Sequence, residues 1–353
     1  MTRDRALFRR FPRLDLPVHP LLDGPTPVRR LDDLEAVTGA DAFFVKDDGR
    51  SAAPYGGNKP RKLEWLLGDA KARGSREVIA IGADGSNYCL ATAVHGTRAG
   101  FDVTLVVAPQ PATEGVRRTL RAGLGTGATY VASNNEGLLL LKLAVRVAQG
   151  AIRGRPPYPT WFGGSSPRGT LGFVEAALEL VEQVDAGELP RPDVVVVPTG
   201  STGSHAGLLV GFGLAGWDDV RVVGVRVTPA MMGNAKVVAQ TAARATKLLR
   251  SHERDIPRGG VRAGDVEVRE GFFGPGYGVV TPEATAAMER LAALGIPLDP
   301  TYSGKTMAAA LADPSLRGKR VVFWNTHNAF PVDDLPQGQP ERLPVMLRRR
   351  AFG

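Results

Sequence analysis

The chain has 353 residues, 43% hydrophobic and 23% charged, the profile of a soluble globular protein long enough for two domains. Its formal net charge is +8, but the arginines lie scattered among acidic neighbours without zinc-knuckle spacing, an aromatic RNA-binding signature or heptads, so a small anionic ligand suits the charge better than nucleic acid. A lone cysteine, Cys89, excludes an intramolecular disulfide, and neither the N-terminal MTRDRALFRRFPRLD nor the apolar run from Leu138 to Val147, broken by Lys142 and Arg146, reads as a signal peptide or membrane span; the expectation is a cytoplasmic protein.

The first strong element follows YGGNKP. Asn58 fits a helix N-cap and Pro60 the first turn, with Leu63, Leu66, Leu67 and Ala70 as one apolar face of an amphipathic helix. From Ser75 the pattern alternates. Strands are predicted at Glu77–Ile81, Val103–Val107 and Thr129–Val131, and helices at Asn87–Arg98, Thr113–Ala122 and Leu138–Gln149. A Pro/Gly-rich break runs from Arg153 to Gly169. Beyond it come a helix at Thr170–Gln183, an all-valine strand at Val194–Val197, a helix at His205–Leu214 and a strand at Val220–Val227. Helices at Thr281–Leu294 and Thr306–Leu311 and a strand at Arg320–Trp324 complete the pattern. This βα order implies an α/β protein with two open parallel-sheet domains and the ligand between them. The break places a smaller domain at 57–163 and a larger, discontinuous one at 1–56 and 164–353.

Five segments could carry chemistry. Lys59 lies between two glycines and a helix start; it is either a solvated turn lysine or an amine kept neutral by the positive helix terminus and by burial, as a Schiff-base lysine requires. IGADGSN, ending at Ser86 and Asn87, is either a plain strand-to-helix turn with a cap or an anion site. VVVVPTGSTGS runs a valine strand into Thr199, Gly200, Ser201, Thr202, Gly203 and Ser204. It reads as a phosphate cradle, without the lysine spacing of a P-loop and without GxGxxG. LDPTYSGK offers Tyr302 as a proton relay or packed ring, and Ser303 as a cap for a helix beginning at Gly304. FWNTHN, with Thr326 and His327, ends the last strand, where parallel sheets bind ligands. The five histidines show no metal spacing, and no GxSxG elbow is present.

Taken in order, GGNKxRKLE, GxxxSN, GGSxxxGxxGFVEAxLEL, TGSTxxxAGL, GYG and LDPxYxGKxM resemble the 1-aminocyclopropane-1-carboxylate deaminase and D-cysteine desulfhydrase family. These are pyridoxal-phosphate enzymes of the tryptophan-synthase-β fold (fold type II), and the likeness runs from about Phe44 to Asn328. It implies that Lys59 carries pyridoxal 5'-phosphate, with Gly56 and Gly57 giving it room. Asn87 would contact its phenolic oxygen, and Gly200, Ser201, Thr202 and Gly203 would hold its phosphate with Ser204 close by. Asn58, Thr199 and Thr326 would also lie at the cofactor. Ser86 would meet the substrate carboxylate, Tyr277 and Tyr302 would flank the substrate, and Ser303 would face the pyridine nitrogen.

Position 303 discriminates within the family. The deaminases have glutamate there, which keeps the ring nitrogen protonated for opening an unactivated cyclopropane. A hydroxyl makes a weaker electron sink, sufficient for β-elimination. The expectation is therefore a homodimeric lyase acting on a small D-cysteine-like amino acid. Ring-opening deamination, racemisation or a non-catalytic binding role are the alternatives. Three departures lie near the expected substrate: Gly85 where the family's GxxQSN has glutamine, Pro60 after the lysine where Thr or Val is commoner, and NTHN where HTGG is frequent.

Overall fold

The computed structural model describes residues 4–257 and 260–353; the first three residues of the basic N-terminal stretch lie outside them. Ten strands are present among these residues: β1 (Val28–Arg30), β2 (Ala42–Asp47), β3 (Glu77–Ala83), β4 (Asp102–Ala108), β5 (Thr129–Ala132), β6 (Tyr158–Pro159), β7 (Val194–Thr199), β8 (Arg221–Arg226), β9 (Glu267–Arg269) and β10 (Arg320–Asn325). They form two sheets. The larger runs β1-β2-β10-β7-β8-β9 and is parallel except for β1 against β2; the smaller runs β5-β4-β3-β6 and is parallel throughout. Parallel strands require crossovers, and the helices supply them: α1 (Ala6–Arg10), α2 (Asp32–Thr38), α3 (Lys59–Ala72), α4 (Asn87–Arg98), α5 (Glu114–Gly125), α6 (Glu136–Ile152), α7 (Pro167–Asp185), α8 (Gly203–Ala215), α9 (Ala235–His252), α10 (Pro282–Ala293), α11 (Ser303–Leu311) and α12 (Val345–Phe352).

The all-valine strand is central. Val194 and Val196 of β7 pack into one core layer with Phe43, Val223 and Phe323, while Val195 and Val197 pack into the opposite layer with Phe173, Leu208 and Trp324. Alternate side chains thus serve two faces, which is why the strand shows no polar alternation.

Helix α3 departs from the amphipathic expectation. Leu63, Leu66 and Leu67 enter the core of the smaller sheet, but the polar face is buried too. Arg61 is fully buried and donates to Asp48 and Glu179, and Glu64 takes a bidentate contact from Arg5. The helix is wedged between elements of both sheets, so its charges are paired internally instead of solvated.

The C-terminal segment packs against the smaller sheet. The sequence places it in the larger unit, yet Leu335, Leu343, Leu347 and Ala351 pack with Leu90, Leu120 and Tyr130 in the smaller unit's core. Arg350 of α12 clasps Asp84 at the end of β3 and donates to the Ser133 carbonyl at 2.5 Å. Polar, proline-broken sequence after Asn328 hides this return.

Candidate active site

The C-terminal ends of β3, β4, β7 and β10 open onto one cavity of about 290 Å³, lined by residues of both units. It gathers Asn58, Lys59, Ser86, Asn87, Gly200, Ser201, Thr202, Ser204, Tyr277, Tyr302 and Thr326, residues spread over 268 positions. Thr199, Gly203, Ser303 and His327 do not line it.

Lys59 opens α3, as the glycine–proline context predicts. Its Nζ lies 5.8 Å from the centre of the Tyr302 ring. Burial lowers its pKa to about 8, with Asp299 pulling the other way. Desolvation, more than the helix terminus, favours the neutral amine. Asn58 is not the cap: its backbone is helical and its side chain donates instead to Ser204 Oγ at 3.2 Å, linking the lysine turn to the loop after β7. Gly56 and Gly57 do not serve to leave room in the cavity either. A Cβ at Gly56 would stand 2.2 Å from the Gly49 carbonyl, and Gly57 has φ +79° with the Thr326 carbonyl 2.8 Å from a would-be Cβ. They permit close backbone packing and a left-handed turn.

The loop after β7 turns through Thr202, whose φ of 67° is the one positive value for a non-glycine among the described residues. That strain sits where α8 starts, two residues earlier than the sequence predicts. Beside it lies a residue the sequence analysis missed. Lys62 is 1% exposed, and its Nζ donates to the Gly163 carbonyl and to Ser165 Oγ, each at 3.2 Å, with no carboxylate partner among the described residues. Ser165 Oγ bridges onward to Ser201 Oγ at 2.9 Å and to the Gly203 N–H at 3.1 Å. A buried ammonium, two hydroxyls and a helix start converge there. Burial, with Lys59 nearby, drives the Lys62 pKa well below its usual value, a cost a bound dianion would relieve. Gly203 and Thr199 support this cradle from behind; Thr199 Oγ1 meets His205 Nδ1 at 3.0 Å, and His205, held near a pKa of about 4 by burial, is structural.

Opposite lie Ser86, which accepts from the Cys89 N–H at 3.3 Å as the cap of α4, and Asn87, whose Oδ1 accepts from the Tyr55 hydroxyl at 3.3 Å. The Tyr277 and Tyr302 hydroxyls are bonded to each other. Burial raises the pKa of both, so each is a neutral phenol that can hold or pass a proton. Ser303 is not the cap of α11. Asp299, which itself lines the cavity, accepts from the N–H groups of Thr301, Tyr302 and Ser303, and Ser303 Oγ donates to its Oδ2 at 2.8 Å. The Asp-x-x-Tyr spacing was a legible cap signal, masked by the serine next to it. No group of three or more potential metal ligands occurs among the described residues.

A partly buried lysine amine and a hydroxyl-lined helix start share one cleft between parallel sheets, an arrangement suited to an enzyme that uses a phosphorylated aldehyde cofactor. A family model for pyridoxal-phosphate-dependent enzymes matches residues 20–327, and the chain belongs to that family, with pyridoxal phosphate as its cofactor. It is 35% identical over 325 residues to a D-cysteine desulfhydrase of Klebsiella pneumoniae, covering 86% of this chain and 88% of that protein, and 34% identical to the D-cysteine desulfhydrase of Salmonella typhi with the same coverage. A solved homologue of ACC deaminase superposes with a TM-score of 0.78 at 28% identity, covering 91% and 94% of the two chains. A threonine deaminase structure superposes at 0.58 and 19% identity, over 92% and 96%, a likeness of fold alone.

Proposed function

We propose that the protein is a homodimeric lyase of the D-cysteine desulfhydrase type, removing a β-thiol from a small amino acid. The observation that carries this reading is the convergence of Lys59, the paired phenols Tyr277 and Tyr302, and Ser86 around one cavity, in a chain whose relatives at 35% identity bear that activity. Lys62, Ser201 and the start of α8 would hold the cofactor phosphate, and Lys59 its aldehyde carbon. Bound there, pyridoxal phosphate supplies the electron sink that lets the Cα proton and then the β-substituent depart. The chain's own residues bind and move protons. Lys59 Nζ would be the base at Cα, and the phenol pair would protonate the departing sulfur. Ser86 and the α4 terminus would orient the carboxylate. The net change is loss of hydrogen sulfide, then water attack on free 2-aminoacrylate to give a 2-oxo acid and ammonia.

Cys89 is buried and free, in keeping with a reducing compartment such as the cytoplasm. The test is 2-oxo acid release from D- and L-cysteine, β-chloroalanine and the cyclopropane amino acid, with Lys59→Ala as control. Pyruvate from D-cysteine supports the proposal; release from the cyclopropane substrate alone, or enantiomer exchange without release, would replace it.

A further inference from the structure

Gly85 stands where the resembling family has glutamine, and the structure shows what occupies that space. Gln110, on the loop between β4 and α5, accepts the Gly85 N–H on its Oε1 at 3.2 Å. A Cβ built at Gly85 would come within 2.9 Å of Gln110 Nε2 and 2.8 Å of Val116 Cγ2. Gly85 is not in the left-handed region, so its backbone does not require glycine; the space does. A side chain at 85 and the present position of Gln110 exclude one another.

The orientation of the amide is fixed. An N–H can meet only the oxygen end, which leaves Nε2 as the free end, with no acceptor among the described residues. The loop is held as well. Pro109 and Pro111 flank Gln110, and the loop is tied at its start by the Asp84 N–H, which donates to the Ala108 carbonyl at 3.0 Å while the Asp84 carboxylate is clasped by Arg350. Gln110 lines the same cavity as Lys59, Ser86 and Asn87. We infer that Gln110 is a substrate-binding residue whose Nε2 donates to the substrate carboxylate beside Ser86, supplying from a neighbouring loop the amide that position 85 lacks. The inference rests on the proposed amino-acid substrate. Two donors from different loops fix the carboxylate plane, so the residue selects α-carboxylate substrates over simple amines.

The holoenzyme tests this by titration of its visible cofactor band with the two enantiomers of alanine, which lack a β leaving group, and with ethylamine, which lacks the carboxylate. Gln110→Ala is expected to raise the apparent Kd of the better-bound alanine about tenfold and to leave that of ethylamine unchanged. Gln110→Glu should weaken alanine further by charge repulsion. Equal weakening of alanine and ethylamine, or no weakening, would overturn the assignment. A wild-type band that shifts with ethylamine as strongly as with alanine would overturn it too. A wild-type band that shifts with none of the three would overturn the amino-acid reading itself, a distinguishable failure.

Discussion

Lys59 and Lys62 lie three residues apart on α3, and neither forms an ion pair among the described residues. Their environments assign them different work: one amine reaches the open cavity, the other sits under the loop at Ser201. With its pKa lowered to about 8, Lys59 would act in the proposed reaction as a neutral amine, so the rate at which apo-protein captures pyridoxal should rise with pH and level off above about 8. An ordinary lysine would still be rising near pH 10. Stopped-flow absorbance measures this directly. Lys62→Met keeps the volume and removes the charge; it should weaken pyridoxal phosphate binding by at least about tenfold while changing the affinity for unphosphorylated pyridoxal little. Equilibrium dialysis with both ligands separates these outcomes. The bracketing glycines and proline leave Lys59 either a turn lysine or a reactive amine, and only the family resemblance singles it out. Lys62 was not, since a lysine at i+3 in a helix reads as solvated until the partner helix α7 and the Ser165 turn are seen to cover it. Gln110 was hidden for a similar reason: a single polar residue between prolines has no periodicity to mark it.

At the scale of elements, the strongly patterned segments were readable and the weakly patterned ones were not. Helix α4 begins and ends where Asn87 and Arg98 predict, because Ser86 caps it and Gly100 follows. Helix α9 was passed over, although Asn234 caps it at 3.0 Å and Val238, Ala242, Ala245 and Leu249 line its buried face; its many alanines blur the apolar stripe. The edge strand β1 and its neighbour β2 were missed because β1 pairs with β2 and β2 takes its place from pairing with β10, far along the chain. Helix α6 buries Leu139 and Leu143 but also carries apolar residues outward. Lys142 and Arg146 turn inward to the Ala132 carbonyl and Glu77, while Leu138, Leu141, Val145 and Ile152 form an exposed stripe with Gly137, Ala144, Ala148 and Ala151 beside it. A row of large residues next to a row of small ones is complementary to itself about a two-fold axis, which supports the proposed dimer. Leu141→Glu should shift the protein toward monomer in sedimentation velocity without lowering its helix content. On α7, Glu175 accepts from the Ala6 and Leu7 N–H groups at 2.9 and 3.1 Å, and burial raises its pKa to about 7. The raised value means that the folded state retains a proton the unfolded chain has lost. Its contribution to stability is full below about pH 4.5 and is lost as pH rises through about 7, by at most about 3 kcal/mol. Thermal melts between pH 5 and 8 should show this decline, and Glu175→Gln should flatten it.

For the molecule as a whole, the α/β class and the two-sheet plan followed from the strand–helix alternation, whereas the return of the C-terminal segment to the smaller sheet did not. That return rests on scattered apolar side chains and on ion pairs such as Arg350–Asp84, separated by polar turns. Asp84 is buried, so Arg350→Met would leave a carboxylate without its partner and should cost about 3 kcal/mol in denaturant unfolding. The larger sheet's β10 and the smaller sheet's outer core are consecutive in the chain, so neither unit is complete as one continuous stretch. Residues 57–163 produced alone would present an uncovered apolar groove where Leu335, Leu343, Leu347 and Ala351 belong. A peptide of residues 329–353 should therefore restore them by fragment complementation. A protein nicked after Asn328 should stay associated and yellow until that peptide is displaced, because the last 25 residues behave as a ligand the chain carries for itself.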